Sequence, residues 1–142
     1  MRVLLDTNVV VSALLFGGVP RALLRLLCER PIELWTSRPL LRELADTLTH
    51  PKLRSAVGRT GLSVEALAQA YVGQCLVVPD TTLEETAFAP DPSDAVVIAA
   101  AIASRAHWII TGDKHLLEWK GPVPCEVLSV REALERVASV EG

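Results

Sequence analysis

Four carboxylates stand where phosphate chemistry could use them. Asp6 follows the apolar run Val3-Leu4-Leu5, and Asp113 follows Trp108-Ile109-Ile110 after Thr111 and Gly112. Open parallel sheets bind ligands outside the carboxyl ends of their strands, which is where both acids fall. Asp94 lies in the first turn of an Ala-rich helix and shares a face with Ile98 and Ala101. Its carboxylate therefore tilts toward the buried side, where it requires a partner, and a metal cation is one. Glu43 lies in the helix after the second strand, about 130° from the centre of the apolar face at 100° per residue. Amphipathicity alone makes it a solvated surface residue.

Such a set suits hard divalent ions. Mg²⁺ takes oxygen ligands and keeps several waters, so a few carboxylates hold one or two ions. The ions neutralise phosphate charge, help form a hydroxide nucleophile and stabilise the leaving oxygen. Each acid also has a structural use. Asp6 and Asp91 fit helix N-caps, Asp113 fits a turn after Gly112, and Asp91 and Asp94 both favour the positive end of a helix. Other chemistries lack their residues. His50, His107 and His115 form no catalytic pattern with a nucleophile and read as a helix end, a strand entry and a surface turn. Neither a phosphate-cradling P-loop nor a GxGxxG run occurs. Cys28, Cys75 and Cys125 form no CxxC pair, and three cysteines cannot make a full disulfide framework. They read as small core or half-buried residues in a reducing compartment.

The elements that must position the acids alternate along the chain. Arg2–Leu5, Ile32–Trp35, Leu76–Val78 and Trp108–Ile110 read as strands, with a weaker fifth at Val127-Leu128. Between them Pro20 suits a helix start, and Arg21, Arg25 and Glu29 form one polar stripe through Glu29. Ser37 reads as an N-cap with Pro39 in the first turn, and Leu40, Leu41, Leu44, Ala45 and Leu48 follow the helical template. Pro51 starts a short helix that Gly58 and Gly61 punctuate, and Ser63–Gln74 is another. A polar loop over Asp80–Pro90 leads to the most apolar helix, Asp91 to about Arg105, and an amphipathic helix over Val130–Val140 closes the chain. Val9–Phe16 is apolar and ends at Gly17-Gly18. Alternation of this kind predicts an α/β fold with a parallel sheet of about five strands between helices.

The 142 residues fit one domain over 1–142. Half are hydrophobic and only 4% aromatic, so the core is aliphatic, and 22% charged argues against disorder. The longest apolar run, Ala95–Ala103, is too short to span a bilayer, and Arg2 precedes only three apolar residues before Asp6, which is no signal peptide. The expectation is a cytoplasmic protein with no membrane association. A net charge of −3 does not mark a general nucleic-acid binder, yet the charge is uneven. Residues 1–60 carry nine Lys/Arg against five Asp/Glu, and residues 61–142 five against twelve. A basic half could meet a polyanion and an acidic half could hold cations.

Three segments carry a resemblance that spans nearly the whole chain. Val3-Leu4-Leu5-Asp6-Thr7-Asn8-Val9-Val10-Val11-Ser12 resembles the opening motif of PIN-domain proteins. Asp91-Pro92-Ser93-Asp94 before an Ala-rich helix resembles their third-acid region. Trp108-Ile109-Ile110-Thr111-Gly112-Asp113-Lys114-His115-Leu116-Leu117 is similar to their fourth-acid segment. Order and separation match too, and the chain looks most like the VapC-like branch, the toxin components of toxin–antitoxin pairs. The resemblance implies a three-layer α/β/α fold and a Mg²⁺- or Mn²⁺-dependent endoribonuclease. It implies that Asp6, Glu43, Asp94 and Asp113 form a catalytic, metal-binding quartet supported by Asn8 and Thr111. It further implies an antitoxin partner, an RNA substrate and a homodimer. Glu43 enters on this ground and not on its spacing. Ala95 departs from the pattern, since many relatives carry another polar residue after the third acid.

Arg21 and Arg25, with Arg38 and Arg42 on the next helix, are candidate RNA-backbone contacts, although each singly also fits a solvated helix face. Two rival readings remain. An aspartyl-nucleophile phosphatase would need Asp-x-Asp, and the second position here is Asn8, which cannot act as the acid. A catalytically inactive PIN-like module that binds RNA or protein would keep the fold without the chemistry, and the presence of all four acids argues against it.

Overall fold

The computed structural model describes residues 1–80, 92–121 and 125–139. Five strands form one parallel sheet: β1 (Arg2–Leu5), β2 (Glu33–Thr36), β3 (Cys75–Val77), β4 (Trp108–Ile110) and β5 (Glu126–Leu128). Their order is β3-β2-β1-β4-β5, so β1 is central. Val3 pairs with Leu34 on one side and with Trp108 on the other.

The chain winds outward from β1 through β2 to β3 and then crosses back to β4. The gap between β1 and β4 is therefore the topological switch point, where open α/β sheets form a crevice. Among the described residues eight α-helices cover the sheet: α1 (Thr7–Leu15), α2 (Gly18–Glu29), α3 (Arg38–Leu48), α4 (Arg54–Thr60), α5 (Val64–Val72), α6 (Pro92–Ser104), α7 (Lys114–Leu117) and α8 (Val130–Ser139). None of them is long and apolar enough to cross a membrane by itself.

Strand alternation sorts the core into two layers. Val3, Leu5, Leu34, Trp108, Ile110 and Leu128 pack on one face with Leu23 and Leu27 of α2, Leu44 and Leu48 of α3, and Ala133 and Val137 of α8. Leu4 and Ile109 point to the other face and meet Val97, Ile98, Ala100 and Ala101 of α6. The result is the three-layer α/β/α arrangement expected of the sequence. Small residues on α6 let it approach the sheet closely, which is why an Ala-rich helix occupies this layer.

Local signals account for most boundaries. Ser37 caps α3, its hydroxyl accepting from the Leu40 N–H at 3.3 Å. Gly61 ends α4 in the left-handed region at φ 73°. α2 begins at Gly18, two residues before the Pro20 start read from the sequence, because Gly17 and Gly18 at φ 73° and 62° turn the chain between α1 and α2. The two helices meet at 101°. The apolar stretch Val9–Phe16 is taken up almost entirely by α1. His115, read as lying in a surface turn, stands instead on the single helical turn of α7. The polar loop after Asp80 and the Asp91 cap lie outside the described residues.

Candidate metal centre at the switch point

Asp6 is held at the carboxyl end of the central strand. Its N–H donates to the Ile110 carbonyl at 2.9 Å, extending the β1–β4 ladder one residue past β1. Its carbonyl accepts from Val9 and Val10 at 3.0 and 3.2 Å, which opens α1. Between these two anchors the side chain follows the alternation of Leu4 and points toward the α6 layer. Oδ1 accepts from the Thr7 N–H at 2.8 Å, and Oδ2 accepts from the Thr111 hydroxyl at 2.7 Å. The residue is 8% exposed. Asp6 thus also performs the capping role that the sequence allowed.

Thr111 is fixed from the opposite side. Its N–H donates to the Leu128 carbonyl of β5 at 3.0 Å, and no part of it is exposed. The hydroxyl accepts from the Asp113 N–H at 3.0 Å while donating to Asp6. One hydroxyl thereby joins the two strand-end acids. Asp113 in turn caps α7, its Oδ1 accepting from the His115 N–H at 2.8 Å. The His115 imidazole stands 3.6 Å from the same oxygen and is 82% exposed.

Asp94 lies in the first turn of α6 and is 2% exposed. Val97, Ile98 and Ala101 share its face and are buried, as the spacing predicted. α6 leads into the amino end of β4, so its first turn stands at the carboxyl edge of the sheet. α3 leaves β2 at that same edge, with Glu43 half-buried in its second turn. Glu43 follows Leu40 by three positions, and Leu40 packs in the α6 layer. Asn8 is exposed in the first turn of α1.

Asp6, Thr111 and Asp113 are therefore joined by hydrogen bonds, and Asp94 and Glu43 are brought to the same edge on separate helices. Among the described residues, no three His, Cys, Asp or Glu side chains stand close enough to ligate one ion. The donors fit Mg²⁺ or Mn²⁺ in kind, being carboxylate oxygens. They fit in number for an ion that is bound through one or two carboxylates and keeps its waters.

The four arginine candidates separate. Arg38 and Arg42 are exposed in the first two turns of α3, at the edge that holds the acids, and Arg38 pairs with Asp80 at 3.4 Å. Arg21 lies beyond the far end of α1, about 14 Å along the helix at 1.5 Å per residue. Its guanidinium donates to the carbonyls of Ala13 and Leu14 at 2.9 and 3.1 Å, closing the end of α1. Arg25 is exposed one turn further along α2.

Known proteins agree with this architecture. The PIN domain model matches residues 2–115, a span that contains Asp6, Glu43, Asp94, Thr111 and Asp113. The uncharacterized protein MJ1680 of Methanocaldococcus jannaschii is 33% identical over 118 residues, 82% of this chain and 74% of that protein. A chain in the crystal structure of VapBC2 from Rickettsia felis, bound to a DNA fragment from their promoter, superposes with a TM-score of 0.62. That match covers 91% of this chain and 98% of the other at 16% identity, and so speaks to the fold. By the match of the PIN domain model over residues 2–115, the chain belongs to the PIN domain family.

Proposed function

We propose that the protein is a Mg²⁺- or Mn²⁺-dependent endoribonuclease that cuts RNA phosphodiester bonds. The observation that carries the reading is the Asp6–Thr111–Asp113 chain at the switch point of a PIN domain. Asp6 and Asp94 would hold the ion, with Asp113 and Glu43 completing its surroundings directly or through water. When bound, such an ion neutralises phosphate charge and favours attack on phosphorus by water. The chain's own part is positional. Thr7 and Thr111 fix the two oxygens of Asp6, so that the carboxylate need not reorganise when a phosphate arrives. Arg38 and Arg42 would meet the RNA backbone beside the acids.

The likeness to VapBC2 supports a further element, that the protein is the toxin of a toxin–antitoxin pair, held by an antitoxin; that it acts as a homodimer rests on the family resemblance alone. The test is cleavage of a total RNA pool by the purified chain freed of any partner. Cleavage should require Mg²⁺ or Mn²⁺ and should stop with EDTA or with Asp6→Asn. A folded protein that binds Mn²⁺ yet cuts no RNA would sink the nuclease reading and leave a binding module.

A further inference from the structure

Among the described residues, two buried hydroxyls lack a hydrogen-bond partner, Thr7 Oγ1 and the Tyr71 phenol. A buried hydroxyl without a partner is costly, so each such group calls for a reason. Both residues line one small cavity of ≈ 10 Å³ between β1, β2, α1, α3 and α5. Leu5, Val10 and three leucines of α3 supply its apolar walls, and every lining residue except Leu41 is buried. The third polar member of the lining is Thr36, 2% exposed at the end of β2. Strand alternation puts it there. Leu5 follows the Leu4–Trp35 pair by one rung, so Thr36 stands beside Leu5, and it shares the side of Leu34 in the α3 layer. Burial foremost, then the neighbouring Cys75, pushes the Tyr71 phenol up, so it keeps its proton at neutral pH and can donate. Cys75 is half-buried, while Cys28 is exposed, where composition suggested a core or half-buried place. The Cys75 thiol spends its proton on the Tyr71 carbonyl at 3.3 Å, and its sulfur is only a weak acceptor for the phenol.

We propose that this cavity is a binding site for one structural water, which bridges the hydroxyls of Thr7 and Tyr71 and takes Thr36 as its third partner. The volume is about that of one water, and three polar neighbours fall within the two to four that a buried water uses. No charged side chain lines the cavity, which favours water over an ion. Each hydroxyl can donate or accept, so three of them and one water can satisfy one another. The water ties the first turn of α1 to β2 and α5. Thr7 is then fixed twice, by its hydroxyl through the water and by its N–H, which donates to Asp6 Oδ1 at 2.8 Å. The brace stands on the α3 side of the sheet, behind the residue that holds Asp6.

The test is a crystal structure of the full chain at a resolution that shows ordered water. One peak within about 2.7–3.0 Å of both the Thr7 and the Tyr71 oxygens is expected. Proton NMR gives a second readout on the wild-type chain: nuclear Overhauser contacts from a long-lived water to Thr7 and Tyr71. Thr7→Val and Tyr71→Phe nearly keep shape. Each should lower the folding equilibrium constant roughly 3–10-fold in urea unfolding, because each strands the other hydroxyl. The double variant strands none of that pair and should lose much less than the product of the two. A dry cavity, a direct bond between the two hydroxyls, a water that misses either of them, or losses that simply multiply would each overturn the proposal. None of these readouts depends on the nuclease reading.

Discussion

The Thr111 hydroxyl has one proton and spends it on Asp6, because the Asp113 N–H already occupies it as an acceptor. Replacing it with an isosteric methyl leaves one Asp6 oxygen without its donor and releases the Asp113 backbone. We expect Thr111→Val to lower the RNA cleavage rate roughly 10–100-fold, the range for groups that orient metal ligands, while circular dichroism stays native. Thr111→Ser keeps the hydroxyl and should recover most of the rate; equal losses in both variants would mean that the methyl contacts matter and the hydrogen bond does not. As candidates, Asp6 and Asp113 were legible because each follows an apolar run, and Asp94 because it shares the buried face of its helix. Glu43 was not. The helical-wheel argument assumes one buried face, yet α3 sits between layers, with Leu40 in one core cluster and Leu44 and Leu48 in the other. A residue near Leu40 can then be half-buried while lying far from the mean apolar direction.

Elements were legible where a cap or a breaker marks them. Ser37 and Ser63 each accept from the N–H three residues on, and both helix starts follow from that. Ser37→Ala should cost about 1 kcal/mol, read as a lower midpoint in urea unfolding, because the Leu40 N–H is buried and loses its acceptor. α8 carries a reciprocal cap: Ser129 Oγ accepts from the Glu132 N–H, and Glu132 Oε1 accepts from the Ser129 N–H, each at 3.1 Å. The Ser129 backbone bond foremost, then its hydroxyl, holds the Glu132 carboxyl below its ordinary 4.5. A depressed acid stabilises the fold above its unfolded pKa and loses that contribution as pH falls through the folded one. Glu132→Gln should therefore flatten part of the stability loss below pH 4.5, measured as thermal midpoint against pH; an unchanged acid limb would show that the cap does not titrate with folding. α1 gave no sequence signal of its type. Val9, Val10, Val11, Ala13, Leu14 and Leu15 offer no polar contrast at either period, and adjacent valines favour a strand. Burial against the sheet and α2 decides the outcome. α7 is a single turn, too short for any periodicity.

At the scale of the molecule, the basic half of the sequence supplies β1, β2 and α1 to α4, and the acidic half supplies α6 and β4. The acid site forms where the two halves meet. Arg38 and Arg42 lie exposed on α3, which opens at that edge, as do α7 with Lys114 and α8 with Arg131. Replacing Arg38 and Arg42 with Ala should weaken RNA binding more at low salt than at high salt and reduce the slope of log affinity against log salt by roughly 1–1.4, at about 0.7 per single-strand phosphate contact. An unchanged slope would place the RNA elsewhere. The parallel alternation was legible from the strand and helix patterns, whereas the order β3-β2-β1-β4-β5 was not, because local pattern does not say which edge receives the fourth strand.

That order also governs when the protein becomes competent during synthesis. The central strand is made first, yet its second neighbour lies more than a hundred residues later, and the Asp6–Thr111 bond spans 105 positions. Until β4 has emerged, Asp6 has neither its ladder partner nor its hydroxyl donor. Closing so long a loop is slow and late among folding events. A chain still being translated, or one cut short before Thr111, carries all of Asp6, Glu43 and Asp94 without an assembled site.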